Sequence, residues 1–222
     1  MKTWIISDTH GHHRGLKVPE GIETIIHAGD STHFYNFYDN IPGFHDFKTW
    51  FLDLPIKNKI LIAGNHDAWA TKKYNIDDLK SQGVIYLEHE AAIVEGLTIF
   101  GSPYTPTFGN WHFMKARAKL SRYWEILGTN IDILITHGPP KGILDLTENP
   151  DYTLEQCGDG ALYKKVMKVK PTYHIFGHIH DCKECRNAGM LKRDGITFIN
   201  AAVIEDGRFD KGPINNGHII EI

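Results

Sequence analysis

Short apolar runs, each closed by a polar turn, recur along this chain. Ile60-Leu61-Ile62-Ala63 runs straight into Gly64-Asn65-His66-Asp67. A brief continuous apolar run bounded by glycine is what a strand covered on both faces shows. Trp4-Ile5-Ile6 ends the same way at Ser7-Asp8-Thr9-His10-Gly11, and Thr24-Ile25-Ile26-His27-Ala28 at Gly29-Asp30. Ile131 to Thr136 runs into His137-Gly138-Pro139-Pro140, and Tyr173-His174-Ile175-Phe176 into Gly177-His178-Ile179-His180. Ala92 to Phe100 reads as a hairpin with Glu95-Gly96 at its turn, and Ile196 to Ala202 and His218 to Ile222 as two closing strands.

Between the strands the period changes to three and four. Phe44, Phe47, Phe51 and Leu54 predict a helix that Pro55 stops. Residues 33 to 43, rich in aromatics, Asn and Gly, predict a loop before it. Asn75-Ile76-Asp77-Asp78 predicts a helix start with Asn75 as the cap. Residues 101–112 predict an ordered loop, followed by a helix with Phe113, Ala116, Leu120, Tyr123 and Leu127 on one face. Gly158 to Val169 predicts a last helix, closed by Pro171. Nine or ten strands against about four helices imply an α/β fold of two packed β-sheets flanked by helices. With no repeat, low-complexity tract or Gly/Ser linker, residues 1–222 read as a single domain.

Composition narrows this picture. The 222 residues are 41% hydrophobic and 23% charged, as in soluble globular proteins. A net charge of −3 argues against a face that tracks extended nucleic acid. Three cysteines do not make a disulfide framework. Cys182-Lys183-Glu184-Cys185 lacks the second pair of a zinc site, so it reads as two thiols in a loop, in a reducing compartment. No basic-then-apolar leader opens the chain and no run approaches a membrane span, so a cytoplasmic protein, monomer or homodimer, is the expectation.

Fourteen histidines are the unusual number, and five of them stand at strand ends. Asp8/His10, Asp30, Asn65/His66, His137 and His178/His180 would gather if these ends meet, as the carboxyl ends of strands do in open α/β sheets. Such a cluster is costly unless divalent cations sit within it. Mixed Asp, Asn and His donors suit Mn²⁺, Fe²⁺ or Zn²⁺ better than Ca²⁺, and the lack of thiolate argues against structural zinc. Asp8-x-His10 and His178-x-His180 have period two, which within a strand puts both side chains on one face.

The set resembles the calcineurin-like metallophosphoesterases. Their Asp-x-His, Gly-Asp, Gly-Asn-His-Asp/Glu, His-Gly and Gly-His-x-His motifs stand here as Asp8-Thr9-His10, Gly29-Asp30, Gly64-Asn65-His66-Asp67, His137-Gly138 and Gly177-His178-Ile179-His180, in family order. Ile26-His27-Ala28-Gly29-Asp30, Gly101-Ser102-Pro103 and Phe198-Ile199-Asn200-Ala201 are similar to the small metallophosphoesterase domain-containing subgroup, compact phosphodiesterases of small substrates. The resemblance implies a four-layer sandwich with two divalent metal ions at one edge, Mn²⁺ favoured. Asp8, His10, Asp30 and His180 would hold one ion; Asp30, Asn65, His137 and His178 would hold the other, with Asp30 bridging. A hydroxide bridging the ions would attack phosphorus, His66 would exchange a proton with the leaving oxygen, and Asp67 would orient the His66 ring.

Taken singly, each residue has a blander use: Asp8 or Asp30 as a helix cap, Asn65 as a left-handed turn residue, His137 as a strand-end histidine. Five coincidences in one order argue against that. His27 and His174 read as core or supporting groups, while His33 and His112 are weaker candidates for substrate contact. Tyr104, Phe108, Trp111 and Phe113 serve equally as a stacking surface for a base or as their loop's own small core, and Lys141 as a phosphate contact or an exposed lysine. The expected function is hydrolysis of a small phosphodiester such as a cyclic nucleotide. The alternatives are a phosphomonoesterase and, less well supported, a non-catalytic metal-binding scaffold.

Overall fold

The structure is a computed structural model that describes residues 1–34, 36–207 and 209–222. In chain order, the first half carries β1 (Lys2–Ile6), β2 (Thr24–His27), α1 (Phe37–Asp53), β3 (Asn58–Leu61), α2 (Lys73–Ser81), β4 (Val84–Tyr86), β5 (Glu90–Val94) and β6 (Leu97–Ser102). Next come β7 (Thr105–Pro106), β8 (Met114–Lys115), α3 (Arg117–Tyr123), β9 (Ile133–Thr136), β10 (Leu146–Glu148) and β11 (Leu154–Gln156). The last are α4 (Gly160–Val169), β12 (Tyr173–Phe176), β13 (Gly189–Arg193), β14 (Ile196–Asn200) and β15 (His218–Glu221). One sheet has the order β15-β1-β2-β3-β4, the other β13-β14-β12-β9-β6-β5. β7 with β8 and β10 with β11 form small ribbons beside them.

Strand alternation sorts the core into three layers. Ile5, Ile26, Ile60 and Ile62 of the first sheet meet Ile99, Ile133, Ile135, Ile175 and Ile199 of the second. On the outer face of the first sheet, Trp4, Ile6, Ile25 and Leu61 pack under Phe44, Phe47, Trp50 and Phe51 of α1. On the outer face of the second, Phe100, Leu134, Phe176 and Phe198 pack under α3 and α4. Both faces of each central strand are buried, which is why these strands read as unbroken apolar runs. The result is the expected four-layer sandwich of two sheets between helices.

Several boundaries differ from the sequence expectations. The stretch 33–43 is not all loop: α1 begins at Phe37, with the Asn36 side chain accepting from Tyr38 N–H and Pro42 inside the helix. Tyr35 lies outside the described residues. Pro42 costs one helical hydrogen bond, and buried Asn40 ties this first part of the helix down, donating to Thr32 Oγ1 and the His66 carbonyl and accepting from Trp69 N–H. Asn75 is not a cap: α2 starts two residues earlier, and the Asn75 amide donates to the Trp69 carbonyl. Phe113 stands outside α3 with φ of 55°. Cys182 and Cys185 are not two thiols but a disulfide, in a turn closed by Cys182 N–H on the Cys185 carbonyl, with the Cα atoms 4.9 Å apart.

Two histidines inside the strands support the turns that follow. His27 Nε2 meets Thr9 Oγ1 at 3.0 Å, between Asp8 and His10. His174 Nε2 meets Thr136 Oγ1 at 2.9 Å, and that hydroxyl also reaches the Gly138 carbonyl, bracketing His137. Both rings are fully buried among phenylalanines. Burial lowers both to about 3, so both are neutral in the folded chain.

Asp67, also fully buried, joins two turns. Its carboxylate accepts from the Ser31, Thr32 and Gly64 N–H groups, the Ser31 and Thr32 hydroxyls and the Trp69 indole.

Two outcomes follow from these contacts. Asp67→Ala strands several buried donors at once and should cost on the order of 3 kcal/mol or more in urea unfolding measured with chelator present. His174 protonates at about 6.5 when unfolded and about 3 when folded. Its contribution is therefore complete above about pH 6.5 and is lost as the pH falls toward 3. Stability should fall with acid by about 1.4 kcal/mol per pH unit for each such histidine. His174→Gln should remove one histidine's share of that slope; an unchanged slope between pH 6 and 4 would contradict it.

Candidate metal centre

The five strand ends meet at one edge of the sandwich. β1, β2 and β3 deliver Asp8, His10, Asp30, Asn65 and His66 from the first sheet, and β9 and β12 deliver His137, His178 and His180 from the second. Asp8, His10 and His180 present ligand atoms within 4.8 Å of one another, as do Asp30, His137 and His178. A third group of the same size joins His10, Asp30 and His66. His10 and Asp30 thus link the two sides of the cluster, with His10 Nε2 3.8 Å from Asp30 Oδ2. Asn65 Oδ1 stands 3.1 Å from His137 Nε2, which is itself 3.3 Å from Asp30 Oδ2.

Period two within a strand does not produce this arrangement. β1 ends at Ile6 and β12 at Phe176, before their ligands begin. Asp8, His10, Asp30 and His178 all have positive φ, between 42° and 69°. Left-handed backbone at non-glycine residues is uncommon and costs energy. It turns the chain back on itself, so these four candidate ligands leave tight turns and not a strand face. Neighbouring glycines make room: a Cβ at Gly64 would fall on Asp30 and His137, and one at Gly177 on Asp8 and Ser7.

Main-chain donors and charge hold the carboxylates. His66 N–H donates to Asp30 Oδ1 at 2.7 Å, and His178 N–H to Asp8 Oδ2 at 2.9 Å. Burial alone would raise both acids, but His180 holds Asp8 and His137 holds Asp30 well below the usual carboxylate range. Burial would likewise lower His137, yet the charge and hydrogen bond of Asp30 raise it to about 9. For His180, the contacts of Asp206 and Asp8 outweigh burial and raise it to about 10. Burial keeps His10 and His178 neutral, near 3. Without metal, His137 and His180 thus carry protons beside the two buried anions, while His10 and His178 are neutral; with those protons displaced, carboxylates, imidazoles and one amide oxygen form a donor set that fits divalent cations of borderline softness.

Imidazole orientation is set from outside the cluster. His137 Nδ1 meets the Ala28 carbonyl at 3.0 Å, and His66 Nδ1 meets the His33 carbonyl at 2.5 Å. A ring nitrogen facing a carbonyl carries the proton, which turns Nε2 of each ring toward the site. The Asp67 carboxylate takes no part in the His66 contact; its oxygens face Ser31, Thr32, Gly64 and Trp69. Trp111 covers the His66 ring at 4.2 Å between centroids.

A cavity of about 390 Å³ opens onto the cluster, lined by Asp30, Asn65, His66, His178 and His180 on one side. Pro106, Phe108 and Arg117 line the other, and Asp206 stands on the wall beside His180. The loop aromatics divide. Phe108 packs against His178 at 5.4 Å and is 63% exposed, whereas Tyr104 packs with His89 and Tyr123 under Lys115. His33 lies in ring contact with His10 and His66, and His112 N–H donates to the Asn65 carbonyl. Lys141 is exposed and does not line the cavity. Two contributors gave no sequence signal: the His33 carbonyl, because main-chain acceptors carry no residue signature, and Asp206, which follows Glu205 in a polar turn outside the five motifs.

Comparison with known proteins agrees with this geometry. The calcineurin-like phosphoesterase family model matches residues 1–182. A UPF0046 protein of Caenorhabditis elegans is 32% identical over 221 residues, covering 93% of this chain and 71% of its own length. Metallophosphoesterase domain-containing protein 1 of Homo sapiens is 31% identical over 224 residues, covering 89% of this chain, which spans 64% of that protein. Phosphopantetheinyl hydrolase from Mycobacterium tuberculosis shares the fold with a TM-score of 0.64 at 16% identity, over 99% of this chain and 95% of that one. A model match over most of the chain, on strand ends that converge in one cluster, shows that this chain belongs to the calcineurin-like phosphoesterase family.

Proposed function

We propose that this chain is a metal-dependent phosphodiesterase of small phosphodiesters, cyclic nucleotides among them. The observation that carries the reading is a pair of buried donor groups linked through His10 and Asp30, with His66 beside them on the wall of a small cavity. Asp8, His10, Asp30 and His180 would hold one divalent ion, and Asp30, Asn65, His137 and His178 the other, with Mn²⁺ the favoured metal. When bound, such a pair supplies a water of lowered pKa and neutralises charge on phosphoryl oxygens.

The chain's own groups do the rest. The His66 ring is pinned by the His33 carbonyl and Trp111, so its Nε2 is the atom available to exchange a proton with the leaving oxygen. Asp67 acts at one remove, holding the turn of Asp30 against that of His66. The cavity volume suits a small ligand. Charge favours a diester over a monoester. Among the described residues lining the cavity, Arg117 is the one Lys or Arg, and it already donates to the carbonyls of Cys157 and Gly158. A diester brings one negative charge to that wall where a monoester dianion brings two.

Purified protein with Mn²⁺ should hydrolyse bis-p-nitrophenyl phosphate faster than p-nitrophenyl phosphate, and a chelator should abolish both rates. Faster turnover of the monoester would instead make the chain a phosphomonoesterase. His66→Ala should lower kcat by about 10²–10⁴-fold while the protein still binds two equivalents of Mn²⁺. A drop in bound metal would place His66 among the ligands, which its grouping with His10 and Asp30 allows geometrically.

A further inference from the structure

The Asp206 carboxylate meets His180 Nδ1 at 2.7 Å, on the side of the ring opposite Asp8. We infer that Asp206 is a positioning residue for the metal site: it fixes the tautomer and rotation of His180 and strengthens it as a ligand. This rests on the two-ion reading proposed above. Asp206 lies beyond residue 182, where the family-model match ends, and outside the motifs that carry the resemblance.

The backbone brings Asp206 to this place. Residues 201–206 run as a strap across the ends of both ligand-bearing turns. Ser7 N–H donates to the Ala201 carbonyl and Val203 N–H to the Ser7 carbonyl, next to Asp8. Asp206 N–H donates to the Asp181 carbonyl, next to His180, and Glu205 pairs with Asp181 as a parallel bridge. Val203 and Ile204 are fully buried and anchor the strap in the core. The other side of the His180 turn is also pinned: Asp181 accepts from the Asn187 and Ala188 N–H groups, and the Asn187 amide donates to the His180 carbonyl.

The chemistry of the contact differs from that of its neighbours. His137 and His66 each lean on a neutral main-chain carbonyl, whereas His180 leans on a carboxylate. An anionic acceptor takes the Nδ1–H more strongly and pushes electron density to Nε2, so it makes the imidazole a better donor to a metal. A plain surface ion pair is the competing reading, since Asp206 is 53% exposed. His180, however, is only 7% exposed and its Nε2 already faces Asp8 Oδ1 at 3.1 Å. The ring therefore spans from a ligand carboxylate inside the site to an orienting carboxylate outside it.

The test is Mn²⁺ binding by titration calorimetry on wild type, Asp206→Ala and Asp206→Asn, with metal content measured in parallel. Asp206→Ala should weaken one of the two Mn²⁺ sites by about 10–100-fold and leave the other within twofold. Asp206→Asn keeps an acceptor for Nδ1–H and should recover part of that loss. The melting temperature of the chelator-treated protein should be the same in all three. Unchanged affinity at both sites in Asp206→Ala overturns the inference, as does a loss shared by both sites with a lower melting temperature without metal. Wild-type protein that binds no Mn²⁺ overturns the two-ion reading itself, which separates the two failures.

Discussion

Asp30 is a carboxylate only 2% exposed, set where the two sheets meet. A bare anion in that position is costly, and the structure around it can be read as compensation. The first sheet supplies the His66 N–H and the second supplies His137, 3.3 Å away. The contact therefore requires the sheets to stand at one spacing and one offset. The isoleucine layer between Ile5, Ile26, Ile60 and Ile62 and their counterparts Ile133, Ile135, Ile175 and Ile199 sets both. Stacked sheets lie about 10 Å apart when side chains interdigitate. At the sandwich edge that distance is spanned by one carboxylate and one imidazole.

Local backbone cost follows from the same constraint. In a regular extension of β1 or β12, Asp8 with His10 and His178 with His180 would stand on one face of the sheet, spread along the strand and not drawn to one point. Left-handed turns at Asp8, His10, Asp30 and His178 bend them into the gap between the sheets. Such turns persist only when surroundings over-determine them. Here the restraints are countable: His27 on Thr9, His174 on Thr136, and Asp67 on both Ser31 and Gly64. All three are buried and polar, and all three lie behind the ligands and not among them. Buried polar groups outside the cluster thus hold its turns in place.

Much of this was legible in residues alone, and the limits have physical causes. Both sheets were readable because two-sided burial leaves unbroken apolar runs, as at Ile60 to Ile62. The family and the turns that converge at one edge were readable because five motifs fall in one order. The start of α1 was not, because Asn40 acts through tertiary contacts to His66 and Trp69 that override the poor helical composition around Pro42, with Asn36 capping the helix locally. Asn75 has a cap's chemistry but spends its amide on Trp69. Asp67 was read as a partner of the residue beside it, whereas its oxygens serve residues 31 and 32, some 35 positions earlier in the chain. Adjacent residues in a turn commonly point to opposite sides, and nothing in a tetrapeptide shows which. The disulfide also has no clear sequence signal, since three cysteines argue against a framework and not against one local turn.

Charge at the cavity connects the fold to the proposed substrate preference. The donor set contributes two carboxylates, and Asn65 adds a neutral oxygen where a third carboxylate would raise the anionic charge further. Asp206 adds negative charge on the wall, but its carboxylate is engaged with His180. Arg117, the nearest offsetting cation, is turned onto two carbonyls that cap the approach to α4. To recruit it, a substrate would have to break those bonds. On the proposed two-ion reading, the ions would bring four positive charges against the two negative charges of Asp8 and Asp30, leaving a surplus of two. That surplus would match the proposed phosphodiester together with an activated water, one negative charge each. A phosphomonoester dianion with the same water exceeds it, and the wall beyond the ions offers no free cation among the described residues to make up the difference.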